Sequence, residues 1–260
     1  KAKILVDGAQ MLPHMAVDMK ADKDPGHIDF LAFSGHKMYA PFGVGVLIGK
    51  RKFFNGSAPE YSGGGTVRAV SKKNVVWADA PDREEAGSPN VLGVLALADT
   101  IRYIEKTGMK NISAYEQALC NYAFNKLQAI PGLTIYGGYP RIGVISFNLD
   151  SVPHALLGDI LSREGGIGVR TGCFCAHTYV RTLLGKEKDD AMDINYYKQP
   201  GAQLPGMVRI SLAAYNKKEE VDLLCGLLRQ IAAQTDDYKA AYVYSAGKEK
   251  YVSGNNNAVW

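Results

Sequence analysis

Lys37 stands in the turn Ser34-Gly-His-Lys37, directly behind the short apolar run Asp29-Phe-Leu-Ala-Phe33. Asp7 closes a second such run, Lys3-Ile-Leu-Val-Asp7, and Gln10 follows shortly after. The carboxyl ends of strands in a parallel α/β sheet converge on one ligand crevice. A lysine and a carboxylate delivered there suit pyridoxal phosphate: the amine forms a Schiff base, and the carboxylate keeps the pyridine nitrogen protonated so that the ring can accept electrons. A surface lysine beside an ordinary strand-end aspartate accounts for the same residues taken alone.

A second group lies far downstream, in Val169-Arg-Thr-Gly-Cys-Phe-Cys-Ala-His177 and Val208-Arg-Ile-Ser-Leu-Ala-Ala-Tyr-Asn216. Arg170 and Arg209 each carry a planar fork that grips a carboxylate at two points, which a lysine does not reproduce; singly, either also suits a surface salt bridge. Cys173, Cys175 and His177 form a Cys-x-Cys-x-His cluster. Structural zinc usually takes four ligands from two separated pairs, and no second pair lies nearby in sequence, so no metal is expected. A disulfide between residues two apart in an extended chain is disfavoured, whereas small buried thiols are common.

The elements that must position these residues read as α/β. Lys3–Asp7 and Asp29–Phe33 are short buried strands, and the all-apolar Gly43–Ile48 suggests a sheet covered on both faces. Asn74–Trp77 is a further strand. From Ser88-Pro-Asn, a cap followed by Pro in the first turn, the pattern turns helical to Gly108, and a second amphipathic helix spans Asn111–Gln128. Leu133–Tyr136, Gly143–Asn148 and Val208–Leu212 read as strands, Pro153–Glu164 and Lys218–Gln234 as helices. Residues 1–86 therefore read as part of a mainly parallel-sheet domain, 87–244 as a smaller α+β domain entered through a connecting helix at 87–105, and 245–260 as a loose tail.

Composition narrows the function classes. Over 260 residues, Lys+Arg 30 against Asp+Glu 26 leaves +4, scattered rather than striped, which argues against nucleic-acid or membrane-surface binding. No apolar run approaches the ~20 residues of a membrane span. Lys1–Val6 is ended at once by Asp7 and does not read as a signal peptide. Four cysteines are too few for a disulfide scaffold at this length, and a cytoplasmic, reducing setting is expected. The absence of an initiator Met before a strand suggests that an upstream piece is missing.

Six motifs in order, Val6–Gln10, Phe33–Tyr39, Gly43–Leu47, Glu85–Asn90, Val169–His177 and Val208–Asn216, resemble the class V aminotransferase family, and within it the group II cysteine desulfurase and selenocysteine lyase branch. The resemblance covers about residues 3–232. It implies a pyridoxal phosphate-binding large domain of which 1–86 is the C-terminal part, then the small C-terminal domain. It implies that Lys37 carries the cofactor covalently and later shuttles a proton, Asp7 pairs with the pyridine nitrogen, and Gln10 bonds the ring oxygen. Ser34 and His36 would bind the phosphate, and Thr66, after Gly64-Gly65, would reach the phosphate of a second copy in a homodimer. Arg170 and Arg209 would hold the α-carboxylate of a small amino-acid substrate. Cys175 would be the nucleophile that takes sulfur or selenium as a persulfide (or selenium equivalent) and releases alanine, a task for a soft thiolate rather than a hydroxyl. Cys173 leaves open which thiol reacts.

Two departures from the pattern matter. The upstream cofactor-binding half is not among these residues, so the chain alone is expected to fold poorly and lack activity. The charged stretch 184–201 is longer than the corresponding connection in such desulfurases and reads as an exposed loop that gates the site or receives a sulfur-acceptor protein. Other classes on the same scaffold are an aminotransferase, an epimerase or another carbon–sulfur lyase, none needing Cys175, and a cofactor-free scaffold that kept the motifs by descent.

Overall fold

The computed structural model describes residues 2–138, 140–186, 198–199, 202, 204–245, 247 and 250–254. The chain divides into two compact units, Lys1–Ser113 and Ala114–Trp260.

The first unit runs β1 (Leu5–Asp7), β2 (Phe30–Ser34), a 3-10 turn at Gly35–Met38, β3 (Gly45–Gly49), α1 (Arg51–Phe54), β4 (Val67–Val70), β5 (Val75–Trp77), α2 (Val91–Thr107) and the start of α3 (Met109–Gln128). β1 lies parallel to β2, in the register Asp7↔Ala32, whereas β3 returns antiparallel to β2. A small core forms where Phe33, Met38 and Ala40 meet Leu97, Ile104 and Ile112. Two expectations fail here. Leu5 is 58% exposed in the first strand, and Leu47 is 51% exposed in the third. The reason is coverage: the face that carries Phe33 and Val46 packs in the core, while Leu47, paired with Ala32, lies on the opposite face. The cap of α2 is Asn90, not Ser88; its side chain accepts from Gly93 N, and the helix begins at Val91.

The second unit continues along α3 and then runs β6 (Leu133–Tyr136), β7 (Val144–Leu149), α4 (His154–Gly165), β8 (Arg170–Gly172), α5 (His177–Leu183), β9 (Met207–Ser211), α6 (Lys218–Ala233), α7 (Thr235–Ala241), β10 (Tyr242–Ser245) and β11 (Lys250–Ser253). Its sheet has the order β6-β7-β9-β8, antiparallel throughout. Strand alternation divides the residues of β7 cleanly: Ile145, Phe147 and Leu149 are buried, Ser146 and Asn148 only partly so. The buried set joins Leu119, Ala123 and Leu127 of α3, Leu157 and Ile160 of α4, and Leu224 and Leu228 of α6 in one continuous core. Cys120 and Cys225 belong to that core, and burial pushes both thiols up from the ordinary value.

The sequence predicts a loose tail over 245–260, yet Lys250–Ser253 is a strand paired with β10. Three tyrosines explain it. Tyr238 and Tyr242 donate their hydroxyls to Glu164, and Tyr251 N donates to Asp159 Oδ2, so the hairpin is bonded to α4. Most of the 184–201 stretch, from 187 to 197 and at 200 and 201, lies outside the described residues, as does 255–260.

Candidate active site

The first unit positions the lysine by nailing down its neighbours. Gly35 approaches Val44, just ahead of β3, so closely that a Cβ would meet Val44 Cγ1 at 2.6 Å, and its N–H donates to Val44 O at 2.7 Å. Met38 and Ala40 are buried in the core. Pinned on both sides, the 3-10 turn leaves Lys37 half-buried and His36 exposed. Asn90, besides capping α2, donates from Nδ2 to Phe42 O at 2.7 Å and ties the following loop to the helix start.

Asp7 ends β1 beside Ala32, two residues short of Ser34 at the end of β2. Its Oδ1 accepts from Ala9 N at 3.0 Å, a local turn that fixes the carboxylate, and Gly8 N donates to Ala32 O. Gln10 and Ser34 are half-buried. Parallel pairing thus brings the ends of β1 and β2 side by side with a carboxylate, an amide, a hydroxyl, an imidazole and an amine. Among the described residues no hydrogen bond or ion pair claims the Lys37 amine or the Gln10 amide. That donor and acceptor set fits pyridoxal phosphate. Thr66 differs: it is fully buried, and its Oγ1 donates to Gly63 O at 2.7 Å and accepts from Gly63 N at 3.1 Å, closing its own loop.

The second unit pairs the arginines. Arg170 on β8 and Arg209 on β9 are direct Cα partners across an antiparallel ladder, so both side chains leave the same face. Arg209 sits beside Val208 and Ile210, which alternate into the helix-covered core, so it projects from the other face, the one shared by Ser146. Two like charges directly opposite are unfavourable without an anion between them. Burial, and next the Arg170 charge, push the Arg209 guanidinium below its ordinary value, with Cys175 acting in the opposite sense. The Phe174 ring lies 5.0 Å from the Arg209 guanidinium carbon, a cation–π contact. Arg209 Nε is buried without a hydrogen-bond partner among the described residues.

The cysteines separate sharply. Ala176 N donates to Cys173 O at 2.8 Å, closing a turn in which Phe174 (φ 54°) and Cys175 (φ 63°) are both left-handed. Cys175 at its apex is exposed, whereas Cys173 is buried and its thiol donates to Pro205 O at 3.0 Å. Burial raises the Cys173 thiol, against a smaller pull from Arg181. His177, the third member of the Cys-x-Cys-x-His cluster, opens α5 and is exposed. Among the described residues no cluster of three or more His, Cys, Asp or Glu is arranged for a metal.

The family model Aminotransferase class-V matches residues 1–224. The chain belongs to that family.

Among curated relatives of this class-V chain, the cysteine desulfurases of Escherichia coli (strain K12 / DH10B) and Escherichia fergusonii are each 40% identical over 230 residues, 88% of this chain and 51% of theirs. The apo cysteine desulfurase from Thermococcus onnurineus NA1 superposes with TM-score 0.75 at 34% identity over 89% of this chain and 53% of that one. The E. coli cysteine desulfurase CsdA gives 0.72 at 30% identity, over 90% and 52%. The class-V chain thus spans about half the length of the relatives it matches.

Sequence reading missed several supports of the site. Phe174 lies against Arg209, and His154 Nε2 donates to Leu204 O at 2.9 Å. His14 is buried, and His27 lies between Asp22 and Asp29. The signal available for Asn90 was its place at the end of Gly-Ser-Pro-Asn, where an N-cap is chemically favoured.

Proposed function

We propose that the full-length protein carrying this class-V chain is a pyridoxal phosphate-dependent cysteine desulfurase, or a selenocysteine lyase of the same mechanism. The observation that carries the reading is the face-to-face Arg170–Arg209 pair with Cys175 on the turn that follows β8. The identity to curated desulfurases supports it.

In this reading Lys37 holds the cofactor, Asp7 stands at its pyridine nitrogen, Gln10 at its ring oxygen, and Ser34 and His36 at its phosphate. When bound, pyridoxal phosphate supplies an electron sink at the substrate α-carbon. Arg170 and Arg209 hold the α-carboxylate, and the anion relieves the repulsion between the two guanidiniums. Lys37 takes the α-proton and returns a proton to the carbon skeleton. The Cys175 thiolate attacks the substrate sulfur; the carbon–sulfur bond breaks and a sulfur–sulfur bond forms. The balance is cysteine plus enzyme thiol giving alanine plus enzyme persulfide, with no external oxidant or reductant. A homodimer, a cytoplasmic setting and a sulfur-acceptor protein that discharges Cys175 complete the proposal; for Thr66 to serve the phosphate of the other copy, its hydroxyl would have to leave Gly63. Residues 1–86 would be the C-terminal part of the cofactor-binding domain, and 87–244 the small domain. The chain by itself is expected to be inactive.

The experiment reconstitutes the full-length protein with pyridoxal phosphate, adds L-cysteine, assays alanine and locates added sulfur by peptide mass spectrometry. Alanine with a persulfide on Cys175 supports the reading. Cofactor held at Lys37 with neither product sinks it and points to an aminotransferase, epimerase or other lyase, for which Cys175→Ser would leave turnover unchanged.

A further inference from the structure

Three side chains from separate parts of the second unit converge on one short length of backbone. His154 Nε2, at the start of α4, donates to Leu204 O at 2.9 Å. Cys173 Sγ, directly after β8, donates to Pro205 O at 3.0 Å. Asn148 Nδ2, on β7, donates to Gly206 O at 3.0 Å. Three successive carbonyls are thus held, immediately before β9 delivers Arg209. The sequence suits this use. Proline has no N–H, so its carbonyl is the whole hydrogen-bonding capacity of residue 205. A Cβ at Gly206 would come within 2.6 Å of His154 Nε2 and 2.7 Å of Gly172 Cα, so only glycine allows the approach.

Cys173 also belongs to the turn that presents Cys175. Its carbonyl closes that turn onto Ala176 N, and the two residues inside are left-handed without being glycine, which costs energy at each. Such a conformation persists only where the surroundings over-determine it. The means are visible: Phe174 packs on the cluster of Cys173, Val180 and Met207, and the Cys173 thiol is tied to the strap.

The geometry points to Cys173 as a positioning residue: its S–H bond to the Pro205 carbonyl, within the strap that His154 and Asn148 also hold, keeps the Phe174-Cys175 turn left-handed and presents Cys175 to the substrate. Cys173 is then not a second nucleophile, because its sulfur is buried and its proton is engaged. This deepens the desulfurase reading, which makes Cys175 the reacting thiol, but one arm of its test needs no turnover.

In the full-length protein with pyridoxal phosphate bound, a pulse of iodoacetamide at neutral pH, followed by fragmentation of peptide 171–181, separates the two thiols. Cys175 is expected to label, and Cys173 to label only after denaturation. Cys173→Ser keeps a donor and should leave both the Cys175 labelling rate and kcat close to wild type. Cys173→Ala removes the donor; kcat should fall by about 10- to 100-fold at unchanged KM, the scale of a misplaced reacting group, with a change of about tenfold in Cys175 labelling. Asn148→Ala loosens the strap without touching the cysteine turn and should shift labelling in the same direction, which keeps the test open if Cys173→Ala does not fold. Equal labelling of Cys173 in the folded protein, sulfur on Cys173 after turnover, or Cys173→Ala behaving as Cys173→Ser would overturn the inference. The labelling pattern holding without any alanine would uphold the positioning role and refute the desulfurase reading instead.

Discussion

The two units solve the burial problem differently. In Ala114–Trp260 a four-stranded sheet buries one whole face under three helices, and Phe147, Leu157, Ile160 and Leu228 are fully buried. In Lys1–Ser113 the sheet has three strands, and its core gathers only a few residues around Phe33 and Met38. Leu5 and Leu47 stay more than half exposed there, as do Val76 on β5 and Leu95 on α2. Exposed apolar surface on that scale marks an interaction site or a liability to aggregate. The unit bearing Lys37 thus has the smaller core, although the unit bearing Cys175 also exposes Tyr179, Tyr215, Leu223 and Val243.

The largest test of that contrast removes the chemistry of each unit in turn. Lys37→Ala is expected to abolish turnover together with the visible absorption of the bound cofactor. Cys175→Ser should abolish alanine formation and leave that absorption intact. If Cys175→Ser also lost the cofactor, the assignment of separate tasks would fail.

Stability offers the next test. Phe147→Ala in the second unit should cost about 3–5 kcal/mol in denaturant unfolding, whereas Leu47→Ser should stay within about 0.5 kcal/mol in this chain. Hydrogen exchange would sharpen the result: amides of β7 and β9 should outlast those of β1 and β3. Equal protection would mean that the smaller core is no weaker.

Arg209→Lys keeps the charge but loses the fork and should lower kcat/KM by about 10- to 100-fold, mainly through KM. The same change at exposed Arg170 should cost less, since Arg209 is the one desolvated against Phe174.

A smaller effect concerns the tyrosines on Glu164. Burial first, then the hydrogen bond to Glu164, pushes Tyr238 up to about 12 from an ordinary value of 10.0, and Tyr242 is raised for the same reasons. Unfolded tyrosine loses its proton near 10 while the folded residue keeps it. The stabilisation is therefore complete below pH 10 and lost as the pH rises from there through 12. Tyr238→Phe should flatten the fall in melting temperature over that window, and an unchanged slope would show that the cluster is not coupled to folding.

Much of this was legible from periodicity. The apolar stripe of α3, Ile112, Tyr115, Leu119, Tyr122, Ala123 and Leu127 with Cys120 in register, is buried except at Tyr122, which is half-buried, and Tyr115, which is exposed. Strand β3 misled because an apolar run states that a residue can be covered, not that this chain supplies the cover. The lysine and aspartate were legible as strand-end residues, since the apolar runs point to where they stop. What secures the site was not legible. Asn90 reaches Phe42 across 48 positions and His154 reaches Leu204 across 50, and no local pattern encodes pairings at that distance. The tail hairpin was hidden for the same reason: its anchors, Asp159 and Glu164, lie on a helix read for its apolar face.

The left-handed turn at Phe174-Cys175 has an evolutionary side. A glycine at 175 would occupy φ 63° with less strain than any residue that bears a Cβ. In the proposed desulfurase, drift toward stability therefore runs against retention of the thiol at this one residue. In a lineage that has abandoned the reaction, position 175 is where the loss should be written first, and the chain left behind should be the more stable one.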